Sequence, residues 1–280
     1  MFKNQYREKD YVEEILNNGF TSKYLLHEMK LLAKYYKELK LSEEERKDKL
    51  YSFCEDNIKD FNKVSYFKTI NRALNYATNK DEGLVQIDGV NISKIELEYI
   101  DKLDIDDNLK KLVFTLLVLT RLNKKYLKSR DGELKTDSYY FGGHNNYREL
   151  TTCSKITFDK KNGIKNIHDV INILDQKKIV EIVGKGNIKL LFMYEIEDDE
   201  SKGVLVDKFD VIGYFYDMHK GNKKIKRCEG CGVLVKVTGN RQVYCKECWK
   251  EKEMDRQREK WHKNKHKYRD ATLLKNGCNP

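Results

Sequence analysis

The sequence reads as mostly helical, with a minor β component. Three observations support this reading. Apolar residues recur at helical spacing through the first 80 residues, the segment KKLVFTLLVLTRL is apolar nearly all round, and strand-like alternation is confined to short stretches beside glycine. With 280 residues, 39% apolar and 36% charged, the chain suits two or three small domains better than one large core.

The elements follow in order. Leu25, Met29, Leu32 and Tyr36 mark one face of a helix. Ser42 with Glu45 forms a capping box, opening a second helix whose inner stripe is Leu50, Phe53, Cys54 and Ile58. Tyr66, Ile70, Ala73, Leu74 and Ala77 give a third, and Cys54 reads as a buried thiol. These helices make up an N-terminal region at 1–80, suited to a protein partner or to self-association. A connection at 81–105 follows, with a short helix capped by Ser93 and Glu96.

From Asp106 or Asp107 runs the apolar helix, which must be buried on most sides. Tyr147 to Cys153 suggests a short second helix, and Ile167, Val170, Ile171 and Leu174 mark the inner face of a third. Ile179–Val183 and Ile188–Tyr194 read as strands joined by the glycine-rich turn 184–187. That order over 106–197 is a winged helix, whose third helix enters the major groove while the hairpin wing touches the backbone. Lys155, Lys160, Lys161 and Lys185 become candidate phosphate contacts. Lys165, Asn166, His168 and Asn172 are candidate contacts on the third helix, where asparagine can pair with adenine and lysine with guanine. Asp169 and Asp175 oppose phosphate.

A connecting segment at 198–222 leads to the strongest motif, CEGCGVLVKVTGNRQVYCKEC. Cys228, Cys231, Cys245 and Cys248 form two CxxC steps, and each step turns two sulfurs inward from one tight knuckle. Four thiolates match the tetrahedral preference of one Zn²⁺ and leave no open position, so the expected ion is structural. A β-hairpin centred on Thr238-Gly239-Asn240 is expected to bring the knuckles together. The following WKEKEMDRQREKWHKNKHKYRD lacks glycine and proline and reads as a helix. The finger with this helix spans 223–270, followed by a tail at 271–280.

The charge is localised. Residues 220–270 hold 17 Lys and Arg against 7 Asp and Glu, while residues 1–219 hold 37 against 38. The net +10 therefore belongs to the C-terminal fifth, the footprint of a polyanion binder. Lys236 and Arg241 flank the expected hairpin turn. Arg256, Arg258, Lys260, Lys263, Lys265, Lys267 and Arg269 line the helix, placed to neutralise phosphates. Of the interleaved aromatics, Trp249 is expected to pack on the hairpin beside the metal, while Trp261 and Tyr268 are placed to stack on bases.

A knuckle, a hairpin and a helix carrying the second ligand pair resemble a treble-clef or GATA-like zinc finger over residues 223–268. More widely, the apolar first helix, the hairpin after the third helix and CxxCG…YCxxC resemble winged-helix and zinc-finger proteins of phages and mobile elements in low-GC Gram-positive bacteria. That resemblance implies a DNA-directed role.

Other chemistry is sparse. P-loop, G-x-G-x-x-G, G-x-S-x-G and H-E-x-x-H patterns are missing, and His144 is a lone loop histidine. No stretch approaches the roughly 18 apolar residues of a membrane helix. The opening MFKNQYREKDYVEE lacks the apolar run of an export signal. The expectation is a cytoplasmic, non-enzymatic protein that binds nucleic acid, with double-stranded DNA favoured, and regulates transcription or replication. The alternative is a protein-interaction or inhibitor protein directed at host nucleic-acid machinery, whose finger binds RNA or DNA nonspecifically. A metal-dependent nuclease hidden among the many acidic residues is a third reading.

Overall fold

The computed structural model describes residues 6–79, 83–131, 139–140, 144–192, 203–239 and 241–275. Side chains at 79, 129–131, 139–146, 162, 185 and 266–275 fall outside that description. Helices predominate over short strands. The chain divides into two compact units, Met1–Gly213 and Tyr214–Pro280. Among the described residues no helix is long and apolar enough to cross a membrane.

The first unit opens with four helices: α1 (Glu8–Asn18), α2 (Leu25–Glu38), α3 (Glu43–Asn57) and α4 (Lys63–Asn79). The expected stripes form their core. Met29, Leu32, Tyr36, Leu50, Cys54, Ile70, Ala73, Leu74 and Ala77 are buried, with Leu25, Phe53, Ile58 and Tyr66 packed at its edge. Sequence periodicity does not reveal α1, yet it supplies Tyr11, Val12 and Ile15 to the same core. Buried polar groups fix its seat. The Glu8 carboxylate receives Lys34 Nζ at 2.6 Å and the Val85 N–H at 3.0 Å. Glu28 receives the Tyr11 hydroxyl and, at 2.8 Å, that of Thr21. Burial, together with the Glu28 hydrogen bond, pushes the Tyr11 phenol up to about 12.

Both expected connections contribute structure. Strand β1 (Val90–Ile92) pairs antiparallel with β5 (Val204–Val206), Asn91 facing Leu205. Arg7 ties the N-terminus to this ribbon, donating to the carbonyls of Asp88 at 3.0 Å and Asp207 at 2.9 Å. The periodicity test misses β1 and β5 because three residues are too few to show alternation. Ser93 and Glu96 form the expected capping box of α5 (Lys94–Lys102), as Ser42 and Glu45 do for α3.

Helix α6 (Asp107–Asp131) carries Leu112, Val113, Phe114, Leu116, Leu117 and Val118, all fully buried, as an all-round apolar helix requires. Then follow β2 (Tyr139–Tyr140), α7 (His144–Ser154), α8 (Ile167–Gln176), β3 (Val180–Val183) and β4 (Asn187–Leu190). The three strands form one antiparallel sheet in the order β2-β4-β3, with Tyr139 opposite Lys189 and Ile182 opposite Ile188. Strand β2 is not anticipated from the sequence, being two residues in a polar, glycine-flanked stretch. The last expected strand stops at Leu190, and its final residues, 193 and 194, lie outside the described residues.

Helix α9 (Ile212–His219) runs across the boundary of the units. In the second unit β6 (Ile225–Arg227) pairs with β7 (Leu234–Lys236), and α10 (Lys246–Lys275) follows. At 30 residues, α10 is about 45 Å long.

Candidate metal centre and nucleic-acid interface

The β6–β7 hairpin encloses the first knuckle in its turn, which corrects the expected position of the hairpin between the cysteine pairs. Ile225 faces Lys236 and Arg227 faces Leu234, so Cys228 to Val233 span the loop. Cys228 donates its N–H to Val233 O at 2.8 Å and accepts from Gly232 N at 2.8 Å, closing the turn, and Gly232 takes a left-handed φ of 70°. Residues 237–239 and 241–244 form no strand but a bent return. Thr238 donates N–H and hydroxyl to Gln242 Oε1, and Glu229 donates its N–H to Val243 O, pinning the return against the knuckle. Asn240, at the expected turn, lies outside the described residues.

The second pair sits at the start of α10. Cys245 occupies the position before the helix, and its sulfur accepts the Cys248 N–H at 3.4 Å, standing where a capping oxygen would. The Cys228 sulfur accepts the Cys245 N–H at 3.1 Å. All four sulfurs lie within 4.8 Å of one another, Cys231 and Cys245 at 3.8 Å. Four sulfurs bonded at about 2.3 Å to a tetrahedral ion stand about 3.8 Å apart, so the donor set fits a metal ion. Among the described residues this is the one group of three or more His, Cys, Asp or Glu arranged to hold one.

The sulfurs compete for charge. Burial alone would raise the Cys228 thiol, but the N–H groups of Cys245, Cys231 and Gly230 aimed at its sulfur bring it down to about 6. Contacts with the Cys245 and Cys231 sulfurs push Cys248 far up. A divalent cation held there would take the four sulfurs as thiolates and release protons as it binds.

Of the basic candidates of this unit, Lys236 and Arg241 fall between the cysteine pairs and the others follow along α10. Lys236 ends β7, and Lys236 and Arg241 are exposed. Along α10, Lys260, Lys263 and Lys265 are exposed, while the side chains of Lys267 and Arg269 lie outside the described residues. Arg256 and Arg258 are paired to Glu253 at 2.8 Å and Asp255 at 3.3 Å, one turn back. Such exposed pairs are worth little and exchange readily for phosphate. Trp249 does not pack on the hairpin, contrary to expectation: it is 57% exposed. The first turn of the helix directs it outward, its N–H bonded to Cys245 O at 2.9 Å. The Lys265 ammonium lies 5.5 Å from the Trp261 ring.

In the first unit the candidates are less uniform. Lys160 and Lys161 stand exposed in a short 3-10 turn, Lys165 and Asn172 are exposed on or beside α8, and Lys155 follows α7 with a φ of 52°. Asn166 is the N-cap of α8: its side-chain oxygen accepts the N–H groups of His168 at 2.8 Å and Asp169 at 3.3 Å. The Asp169 carboxylate reciprocates, accepting from Lys165 N and Asn166 N. Both residues are therefore committed to the helix end. The His168 ring meets Tyr147 edge-on at 4.9 Å, and the Tyr147 hydroxyl donates to Gly186 O at 2.6 Å, tying α7 to the β3–β4 turn. The backbone of Lys185 lies in that turn, its side chain outside the described residues.

Sequence reasoning passed over Tyr244 and Lys246, which line a groove with Arg241 and Trp249. The available signal was the pair of residues bracketing Cys245. No family model matches the chain, and no curated protein or solved structure compared with it matches either.

Proposed function

We propose that this chain is a DNA-binding protein, with a winged helix over residues 107–190 and a structural zinc finger over 225–275. It regulates transcription or replication of the kind found in phages and mobile elements. The observation that carries the reading is the placement of α10. This helix starts on the four-cysteine centre and, up to residue 270, lies within the segment holding the chain's positive surplus. Past Cys248 its described side chains are exposed, save the half-buried Glu253 and Asn264. A long helix with no buried face among its described residues past Cys248 gains little from its own fold and much from a polyanion laid along it.

The order α6, β2, α7, α8, β3, β4, with β2 paired to β4, supports the winged helix, in which α8 faces the major groove. A closed four-sulfur sphere suits zinc in a structural role. The ion would be held by Cys228, Cys231, Cys245 and Cys248 and would fix the start of α10 against the knuckle.

Fluorescence anisotropy with labelled duplex over a salt series tests this. The expected result is tight duplex binding whose logarithm falls linearly with log salt and persists near 200 mM, a slope that flattens in Lys260→Ala/Lys263→Ala/Lys265→Ala. Absence of duplex binding at low salt sinks the reading. A second reading draws on a groove of about 800 Å³ beside α3 and α4, where Val64 is 85% and Phe67 51% exposed. Sequence-blind binding that vanishes at raised salt would favour that protein-interaction role, and Mg²⁺-dependent cleavage of the probe would favour a nuclease.

A further inference from the structure

Beside the four-cysteine centre, Arg241, Tyr244, Lys246 and Trp249 line an open groove of about 360 Å³. Three features of this groove bear on what it could bind. Trp249 is more than half exposed, and its backbone is held in the first turn of α10 by the bond of its N–H to Cys245 O. One cation, Lys252, already lies 4.4 Å from the centre of the Tyr244 ring. Arg241, on the return, and Lys246, at the helix start, bring two more cations to the rim, both exposed. On the return that carries Arg241, the Thr238–Gln242 and Glu229–Val243 hydrogen bonds tie the neighbouring residues.

An exposed tryptophan with cations lining the same groove suits a planar aromatic group joined to an anion. Stacked duplex bases cannot present a face to it, whereas an unpaired base can. We propose that this groove takes one unpaired nucleotide of a single strand, the base stacked on Trp249 and its phosphate held by Arg241 and Lys246. The inference rests on the nucleic-acid-binding reading above and adds to it a preference for opened or single-stranded segments.

The chain has two tryptophans, so Trp261→Phe in the full-length, zinc-loaded protein leaves Trp249 as the sole indole emitter. Its emission is followed on titration with short oligo(dT), oligo(U) and a blunt duplex at roughly physiological salt. The expected result is saturable quenching by the single strands and little by the duplex, with the two oligomers separating DNA from RNA preference. Trp249→Ala should weaken single-strand binding about five- to hundredfold, the range for loss of one base stack, and leave duplex binding within about twofold. Trp249→Phe should recover most of the loss. Arg241→Ala attacks the same groove from outside the helix and should weaken the single strand more than the duplex. The visible spectrum of the Co²⁺-substituted protein confirms in each variant that the four sulfurs still hold the metal. Single-strand binding with unchanged Trp249 emission, or equal weakening of both probes in Trp249→Ala, overturns the groove and leaves the duplex reading standing. Failure of every probe to bind overturns both.

Discussion

Gly230 lies so close to Cys248 that a Cβ placed on it would stand 2.9 Å from the Cys248 sulfur and 3.0 Å from its Cβ. The first knuckle and the start of α10 therefore meet through a residue with no side chain. Gly230→Ala must push the second ligand pair outward, and metal affinity should fall about 10- to 100-fold, the range for residues that orient ligands. Gly232→Ala makes a useful contrast. Its Cβ meets nothing within 4 Å, but its φ of 70° makes the substitution cost about 1 kcal/mol in backbone strain. Chelator competition on the zinc-loaded protein, with one zinc per chain by elemental analysis, checks both. Equal affinities in the two variants would contradict the contact.

Much of this arrangement was legible from residue spacing. Two capping boxes, the inner stripes of α2, α3 and α4, the all-round burial of α6 and the four-cysteine cluster all follow from rules acting over a few neighbouring residues. What escaped depends on distant partners. Strands β1 and β5 are three residues each and exist because Val90 finds Val206, more than a hundred residues away. Strand β2 is two residues held by Ile188 and Lys189. The hairpin was displaced from 238–240 to either side of the first knuckle because ligand spacing says which sulfurs meet, not which segments pair. The expectation for Trp249 is packing on the hairpin beside the metal, but the residue is 57% exposed. Its position in the first turn of α10, fixed by the Cys245 cap, directs it outward instead.

Asn166 bears on stability before recognition. Its oxygen satisfies two N–H groups at the start of α8, with Asp169 completing the exchange. Asn166→Ala should cost about 1 kcal/mol, read as a lower urea midpoint, and Asn166→Ser should restore most of it. Duplex affinity measured well below the melting point should change little. A large loss of affinity in Asn166→Ser, with stability retained, would return this residue to base recognition.

The Lys34–Glu8 pair is the most deeply buried ion pair described, at 2.6 Å, with Val85 N–H as the second partner of the carboxylate. Removing the ammonium in Lys34→Met leaves an uncompensated buried carboxylate and should cost about 3–5 kcal/mol. Lys34→Met/Glu8→Gln should recover part of that loss, because no charge is then stranded. The cost should appear in urea unfolding of the first unit, while metal uptake by the four cysteines of the second is unchanged. A double variant as unstable as the single one would show that shape, rather than charge, holds α1 to α2.

Alkaline pH should unfold the first unit for an identifiable reason. Burial pushes the thiols of Cys54 and Cys153 up to about 12 from an ordinary value near 9, and the Tyr36 phenol up to about 12 from near 10. A folded-state value raised above the unfolded one means that the unfolded chain gives up its proton first. The stabilisation is fully present below about pH 9 and drains away as pH rises towards 12. Between those limits each thiol should lower stability by about 1.4 kcal/mol per pH unit. Urea titrations at a series of pH values from 8 upward should show a flat region and then a decline. Cys54→Ala/Cys153→Ala should be less stable at pH 8, through lost packing, but should fall more slowly above pH 9. A decline of the same steepness in that variant would shift the cause to the buried tyrosines alone.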